Sequence, residues 1–129
     1  MEVKDTYGRG AIKLFRWVNG RQGSGYKIMY LWNWKFDLVF IRYPVESYID
    51  WHVDPVPKGL EHHRVNIILR KAEGGEFMVM GNWEGVKAPM TQPKRRVIYF
   101  RPDIVTHSVS KVTKGERWVL SIGWVRKVK

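Results

Sequence analysis

The sequence predicts an all-β fold, a sandwich or barrel of many short strands. Three observations point there: helical periodicity is weak throughout, β-rich runs recur along the chain, and turn residues interrupt them at short intervals. The first run, 11–18, ends at Asn19-Gly20, and the second, 26–34, follows Gly23-Ser24-Gly25. Run 36–43 comes next, and run 47–53 stops at Pro55-Val56-Pro57-Lys58-Gly59. Proline donates no backbone hydrogen bond and glycine admits positive φ, so such clusters end strands. Run 64–71 is separated from 76–80 by Gly74-Gly75. Run 96–100 closes on Arg101-Pro102-Asp103, and Lys114-Gly115 divides 106–112 from 117–126. A short helical piece near the N-terminus is the one expected exception.

Size and composition fit a single domain over residues 1–129. Seven Trp, six Tyr and five Phe make an aromatic core available. No apolar stretch reaches the roughly 18 residues of a membrane span, so no membrane partner is expected. The opening Met1-Glu2-Val3-Lys4-Asp5 lacks a secretory pattern, and cysteine is absent, which excludes disulfides and thiolate metal sites. A cytoplasmic location is the expectation. The net charge of +11 makes nucleic acid a possible polyanionic partner. Its two clusters, Lys94-Arg95-Arg96 and Arg126-Lys127-Val128-Lys129, lack the aromatic interleaving of a single-strand platform.

Chemistry concentrates in three residues. His52 and Asp54 are two positions apart, so a strand directs both to one face. His107 lies far downstream. Two imidazoles and a carboxylate with open positions are the ligand set of non-haem Fe(II) oxygenases. Ten residues past His107, Arg117 opens the run Arg117-Trp118-Val119-Leu120-Ser121-Ile122-Gly123-Trp124. Its rigid fork suits an acidic co-substrate. Period two puts Arg117, Val119, Ser121 and Gly123 on one face, where Ser121 can hydrogen-bond a carboxylate. If Ile68 points inward, so do Asn66 and Arg64; a buried Asn66 needs partners, which bound co-substrate or neighbouring backbone can supply. The adjacent His62 and His63 point opposite ways on a strand and are expected in a loop.

Taken as a set, these pieces resemble the 2-oxoglutarate and Fe(II)-dependent dioxygenases, in their prolyl-4-hydroxylase-like branch. Tyr43-Pro44 through Tyr48 and Trp51-His52-Val53-Asp54 resemble the first half-site, and Gly74-Gly75-Glu76-Phe77 a mid-barrel turn. Val97-Ile98-Tyr99-Phe100 resembles the strand before the second histidine, and residues 107–120 the last metal-ligand strand, turn and co-substrate strand. The resemblance covers about residues 36–127. It implies a double-stranded β-helix (jelly roll) with little or no helical support, in which His52, Asp54 and His107 bind iron. It also implies that Arg117 grips the distal carboxylate of 2-oxoglutarate, that Tyr43 donates its hydroxyl to the same molecule, and that Trp124 walls the pocket. The implied reaction hydroxylates a C–H bond with O₂, releasing succinate and CO₂, with ascorbate a candidate reductant.

Departures from relatives bear on the substrate. Gly123 stands where nucleic-acid demethylases carry a second arginine, and Val119 where plant small-molecule oxygenases carry a serine. The loop after Asp54 is short. An open mouth suits a protein or peptide better than a small metabolite, which needs enclosure. A peptidyl proline or another protein side chain is therefore the first expected substrate, ahead of nucleic acid or a nucleotide. A non-catalytic jelly-roll metal-binding module is the alternative without turnover. Arg64, Trp51 and Lys58 are the expected rim contacts.

Overall fold

Successive strands alternate between two sheets, which is the winding of a double-stranded β-helix. The structure is a computed structural model and describes residues 2–4, 11–20, 23–80, 90–91 and 96–128. Strands β1 (Glu2–Lys4) and β2 (Ala11–Lys13) pair with each other. Next come β3 (Trp17–Asn19), β4 (Lys27–Trp34), β5 (Phe36–Tyr43), β6 (Ile49–His52) and β7 (Leu60–Arg70). They are followed by β8 (Glu73–Gly74), β9 (Phe77–Met80), β10 (Met90–Thr91), β11 (Val97–Phe100), β12 (Thr106–Val109), β13 (Val112–Lys114) and β14 (Arg117–Lys127). One sheet runs β11-β7-β14-β5-β4-β3 and the other β10-β9-β12-β6. From β5 to β14 the chain thus crosses repeatedly from the six-stranded to the four-stranded sheet and back, with the β8–β13 ribbon beside them.

Period-two patterning selects the buried face. Arg117, Val119, Ser121 and Gly123 of β14 are all buried, while Trp118, Leu120, Ile122 and Trp124 are only partly so. Between the sheets, Val39, Tyr43, Ile68, Ile98, Phe100 and Val119 meet Phe77, Val79 and Val109 in one core.

Backbone chemistry explains the broken runs. Run 11–18 divides into β2 and β3 around Phe15, whose φ of 60° turns the chain. Run 106–112 ends early at Val109, and Val112 begins a new strand that pairs with β8. Gly74 and Gly75 have φ of 72° and 63°, and a Cβ on Gly74 would lie 2.2 Å from the Lys111 carbonyl oxygen. Only glycine fits this turn. Among the described residues there is no α-helix, and residues 5–10, where part of the expected helical piece falls, lie outside them.

One expectation needs correction here. Strand β7 starts at Leu60, so His62 and His63 belong to a strand instead of a loop. In the basic clusters, Lys94 and Arg95 lie outside the described residues, and Arg126 is held by Glu61 at 2.9 Å.

Candidate metal centre and co-substrate site

His52 ends β6 and His107 sits in β12, and these two strands are hydrogen-bonded neighbours. Asp54 follows the strand end and is held by its backbone N–H donating to the Pro102 carbonyl at 2.7 Å. The Asp54 carboxylate lies 3.5 Å from Nε2 of His52 and 3.5 Å from Nε2 of His107. One ligating atom from each residue falls within 4.8 Å of the other two, a spread one metal ion can bridge.

Both imidazoles are oriented the same way. Nδ1 of His52 bonds the Asp50 carbonyl at 2.7 Å, and Nδ1 of His107 bonds the Val105 carbonyl at 2.8 Å. A carbonyl only accepts, so Nδ1 carries the proton and Nε2 keeps its lone pair for the metal side. Phe100 and Phe77 flank His107, with ring centroids 5.0 and 6.1 Å away. The donor set, its tautomers and its packing fit a divalent first-row metal.

The triad opens into a cavity of about 440 Å³ between the sheets. Tyr26, Ile28, Tyr30, Val39 and Ile41 form an apolar wall, and Pro55, Val56 and Pro57 border it near Asp54. Tyr43 lines the same cavity and is fully buried against Tyr26, with ring centroids 5.7 Å apart. Burial pushes its hydroxyl up to about 12, against the opposing pull of the Arg117 charge. The phenol is therefore a proton donor at neutral pH.

Arg117 is 3% exposed, with its guanidinium carbon 5.1 Å from the centre of the Tyr43 ring. Burial lowers its pKa from the usual range, and the neighbouring Tyr43, through charge and a hydrogen bond, opposes that shift. Among the described residues its Nη2 has no hydrogen-bond acceptor. Arg117 does not itself line the larger cavity; it lines a second hollow of about 200 Å³ with Lys71, Gly75 and Phe77, and Phe77 borders both. Tyr43 is thus the link between the cation and the metal-bearing cavity. A buried cation with an open donor is the place for an anion.

At the other end of the cavity the inward residues of β5, β7 and β14 form a continuous polar chain. Asp37, with its side chain fully buried, accepts from Nη2 of Arg64 at 2.9 and 2.7 Å. Nη1 of Arg64 donates to Ser121 Oγ at 2.7 Å, and Ser121 Oγ donates to Asn66 Oδ1 at 2.6 Å. Asn66 and Ser121, expected at the co-substrate, do line the cavity but bond each other. Arg64, expected at the rim, is tied inside to Asp37.

Trp124 differs from expectation, while Trp51 and Lys58, expected at the rim, lie outside the cavity lining. Trp124 points to the opposite face of β14 and stacks on His63, 5.6 Å between centroids, so it does not wall the cavity. Trp51 alternates with His52 and faces out, and Lys58 sits exposed in a turn, so neither lines the cavity. Sequence reasoning missed Asp37 and His62. His62 lines the cavity, and burial together with Arg64 lowers its pKa to about 4, leaving it neutral. The signal was available for His62, because it is two positions from Arg64 and four from Asn66.

A sequence profile of the 2OG-Fe(II) oxygenase superfamily matches residues 38–126. The chain belongs to the 2OG-Fe(II) oxygenase superfamily. That family takes Fe(II) and 2-oxoglutarate, and His52, Asp54 and His107 are the cluster of this chain that could hold such a metal. No curated protein is similar enough in sequence to match. Among solved structures, a prolyl-4-hydroxylase from Pseudomonas putida is 22% identical, with a TM-score of 0.55 over 73% of this chain and 52% of that one. The viral collagen prolyl hydroxylase of Paramecium bursaria Chlorella virus-1, solved with 2OG, is 23% identical, with a TM-score of 0.50 over 81% and 62%. The Cnp3 cupin domain of Schizosaccharomyces pombe is 11% identical, with a TM-score of 0.57 over 98% and 85%. At these identities the likeness is one of fold, and this chain spans about half the length of the Pseudomonas hydroxylase. No helix among the described residues is long and apolar enough to cross a membrane.

Proposed function

We propose that this oxygenase is a 2-oxoglutarate- and Fe(II)-dependent hydroxylase of the prolyl-4-hydroxylase-like branch, acting on a protein or peptide side chain, with a peptidyl proline first in line. The observation that carries this reading is the convergence of His52, Asp54 and His107 at a cavity that reaches Tyr43 and, behind it, the buried Arg117. The three ligands would hold iron from one side. Bound iron supplies activation of O₂ coupled to oxidative loss of CO₂ from the keto acid, which leaves succinate.

The chain's own residues do the rest. The Arg117 fork offers an open Nη2 to the distal carboxylate of 2-oxoglutarate, and the Tyr43 hydroxyl donates beside it. The wall of Tyr26, Ile28, Val39 and Ile41 keeps water from the reacting centre. Similarity to prolyl hydroxylases supports a peptide substrate, and the short border of Pro55 to Pro57 leaves the mouth accessible to one.

The test is succinate release with Fe(II), 2-oxoglutarate and ascorbate, together with mass spectrometry of added peptides. Turnover should require both iron and keto acid, rise with a proline-containing peptide, add one oxygen to it, and stay flat with free proline. Stimulation by an oligonucleotide alone would move the substrate to nucleic acid. Metal uptake without any turnover would reduce the protein to a binding module.

A further inference from the structure

We infer that the Asn66 side-chain amide is the donor that reads the substrate, held towards the metal-bearing cavity to receive an uncharged carbonyl oxygen such as a peptide's. This rests on the proposed hydroxylase reaction and adds a group that selects its substrate. It begins with a strand that lacks a side chain. On β14, Gly123 has Asp37 of β5 and Arg64 of β7 as its register partners, one on each side. Glycine leaves the space between them clear. Arg64 crosses over the strand and sets Nη2 against both carboxylate oxygens of the fully buried Asp37. That double contact fixes the guanidinium.

Hydrogen-bond direction then runs one way along the inner face. A guanidinium only donates, so Ser121 Oγ accepts from Nη1 of Arg64. The fully buried Ser121 hydroxyl passes its own proton to Asn66, its register partner on β7. The atom that meets this proton must accept, which makes it Oδ1. With its oxygen engaged there, Asn66 offers the cavity it lines the N–H donors of Nδ2. The chain from Asp37 through Arg64 and Ser121 thus decides which end of a carboxamide faces the ligand.

Charge decides what that donor takes. Arg64 is matched by Asp37, and its Nη2 also donates to Nε2 of His62 at 3.3 Å. An imidazole that accepts is uncharged. This end of the cavity therefore holds no surplus cation. A carboxylate or phosphate entering it would give up water without gaining a counter-charge. A peptide carbonyl needs only a donor, and Asn66 supplies one. Ser121, which orients Asn66, lies four residues along β14 from Arg117, roughly 13 Å of strand. The amide is thus set apart from the cation proposed for the keto acid.

Side-chain amide NMR on the whole chain, loaded with Zn(II) and 2-oxoglutarate, tests this. The probes are N-acetylprolinamide and N-acetylproline, which differ in an uncharged amide against a carboxylate. The Asn66 Nδ2 resonances, assigned by their loss in Asn66→Asp, should shift with N-acetylprolinamide. N-acetylproline should bind at least about tenfold more weakly. Asn66→Asp keeps an acceptor for Ser121 but removes the donors. It should lower N-acetylprolinamide affinity about tenfold and 2-oxoglutarate affinity less. If that variant misfolds, Ser121→Ala frees the amide to turn and should weaken the probe in the same sense. Unmoved Asn66 resonances overturn the inference, as does tighter binding of N-acetylproline. A variant that loses 2-oxoglutarate more than the probe also overturns it, because the amide would then serve the co-substrate. Succinate release is read separately: its absence sinks the proposed reaction, whereas the amide contrast is judged on binding alone.

Discussion

His52 and His107 are direct register partners across the β6–β12 ladder, with their rings 4.2 Å apart. The candidate metal site is therefore set by strand pairing more than by loop conformation. A slip of one residue would turn one imidazole to the opposite face and dismantle the site.

Removing one ligand should abolish metal binding without unfolding the barrel. His107→Ala takes away one of three donors, so Mn(II) or Co(II) affinity should fall by about a hundredfold or more. Titration calorimetry measures the loss, and an unchanged far-ultraviolet circular dichroism spectrum shows that the sheets remain.

Arg117→Met should separate stability from co-substrate binding. No carboxylate among the described residues pairs with Arg117, and its Nη2 lacks an acceptor. An apolar chain of similar length should raise the stability of the ligand-free protein by on the order of 1 kcal/mol. The rise in Tm on adding 2-oxoglutarate with metal should disappear. Lower stability together with retained stabilisation by 2-oxoglutarate would show that the cation serves the fold.

Ser121→Ala breaks the buried polar chain in the middle. It removes the Ser121 hydroxyl from between Arg64 and Asn66 and takes away the donor to the buried Oδ1 of Asn66, which should cost about 1–3 kcal/mol in urea unfolding. Asp37→Asn should cost more, because it strips the part-buried Arg64 cation of its counter-charge.

His62 gives the fold a specific acid sensitivity. Its folded pKa of about 4 lies below the unfolded value of about 6.5, so the unfolded state takes up the proton first. Stability should be full above pH 6.5, fall as pH drops towards 4, and change no further from this group below that. In His62→Gln that portion of the slope should vanish, as read from urea midpoints across this range.

Much of the fold was legible because period-two alternation is strong where one face is buried. The inward set of Arg117, Val119, Ser121 and Gly123 follows from spacing alone. Trp124 is an odd number of positions from Arg117, so the same arithmetic assigns it to the outer face, against the role implied by resemblance. Asp37 was not legible. A carboxylate at the start of a strand reads as solvent-facing, and the cation that makes its burial tolerable, Arg64, lies 27 residues away. His62 was legible in principle from its even spacing to Arg64 and Asn66, but the turn residues before it made the strand start read as loop.

The closeness of Gly75 to Arg117 turns the proposed co-substrate site into a length gauge. A Cβ on Gly75 would stand 3.3 Å from Cδ of Arg117 and 2.7 Å from Val112 Cγ2, so the arginine stem has backbone at its back. Backbone thus bounds the arginine stem on the Gly75 side, and Tyr43, stacked against Tyr26, bounds the guanidinium towards the larger cavity. Discrimination among dicarboxylates would then reside in a main-chain turn, where side-chain substitution has little purchase.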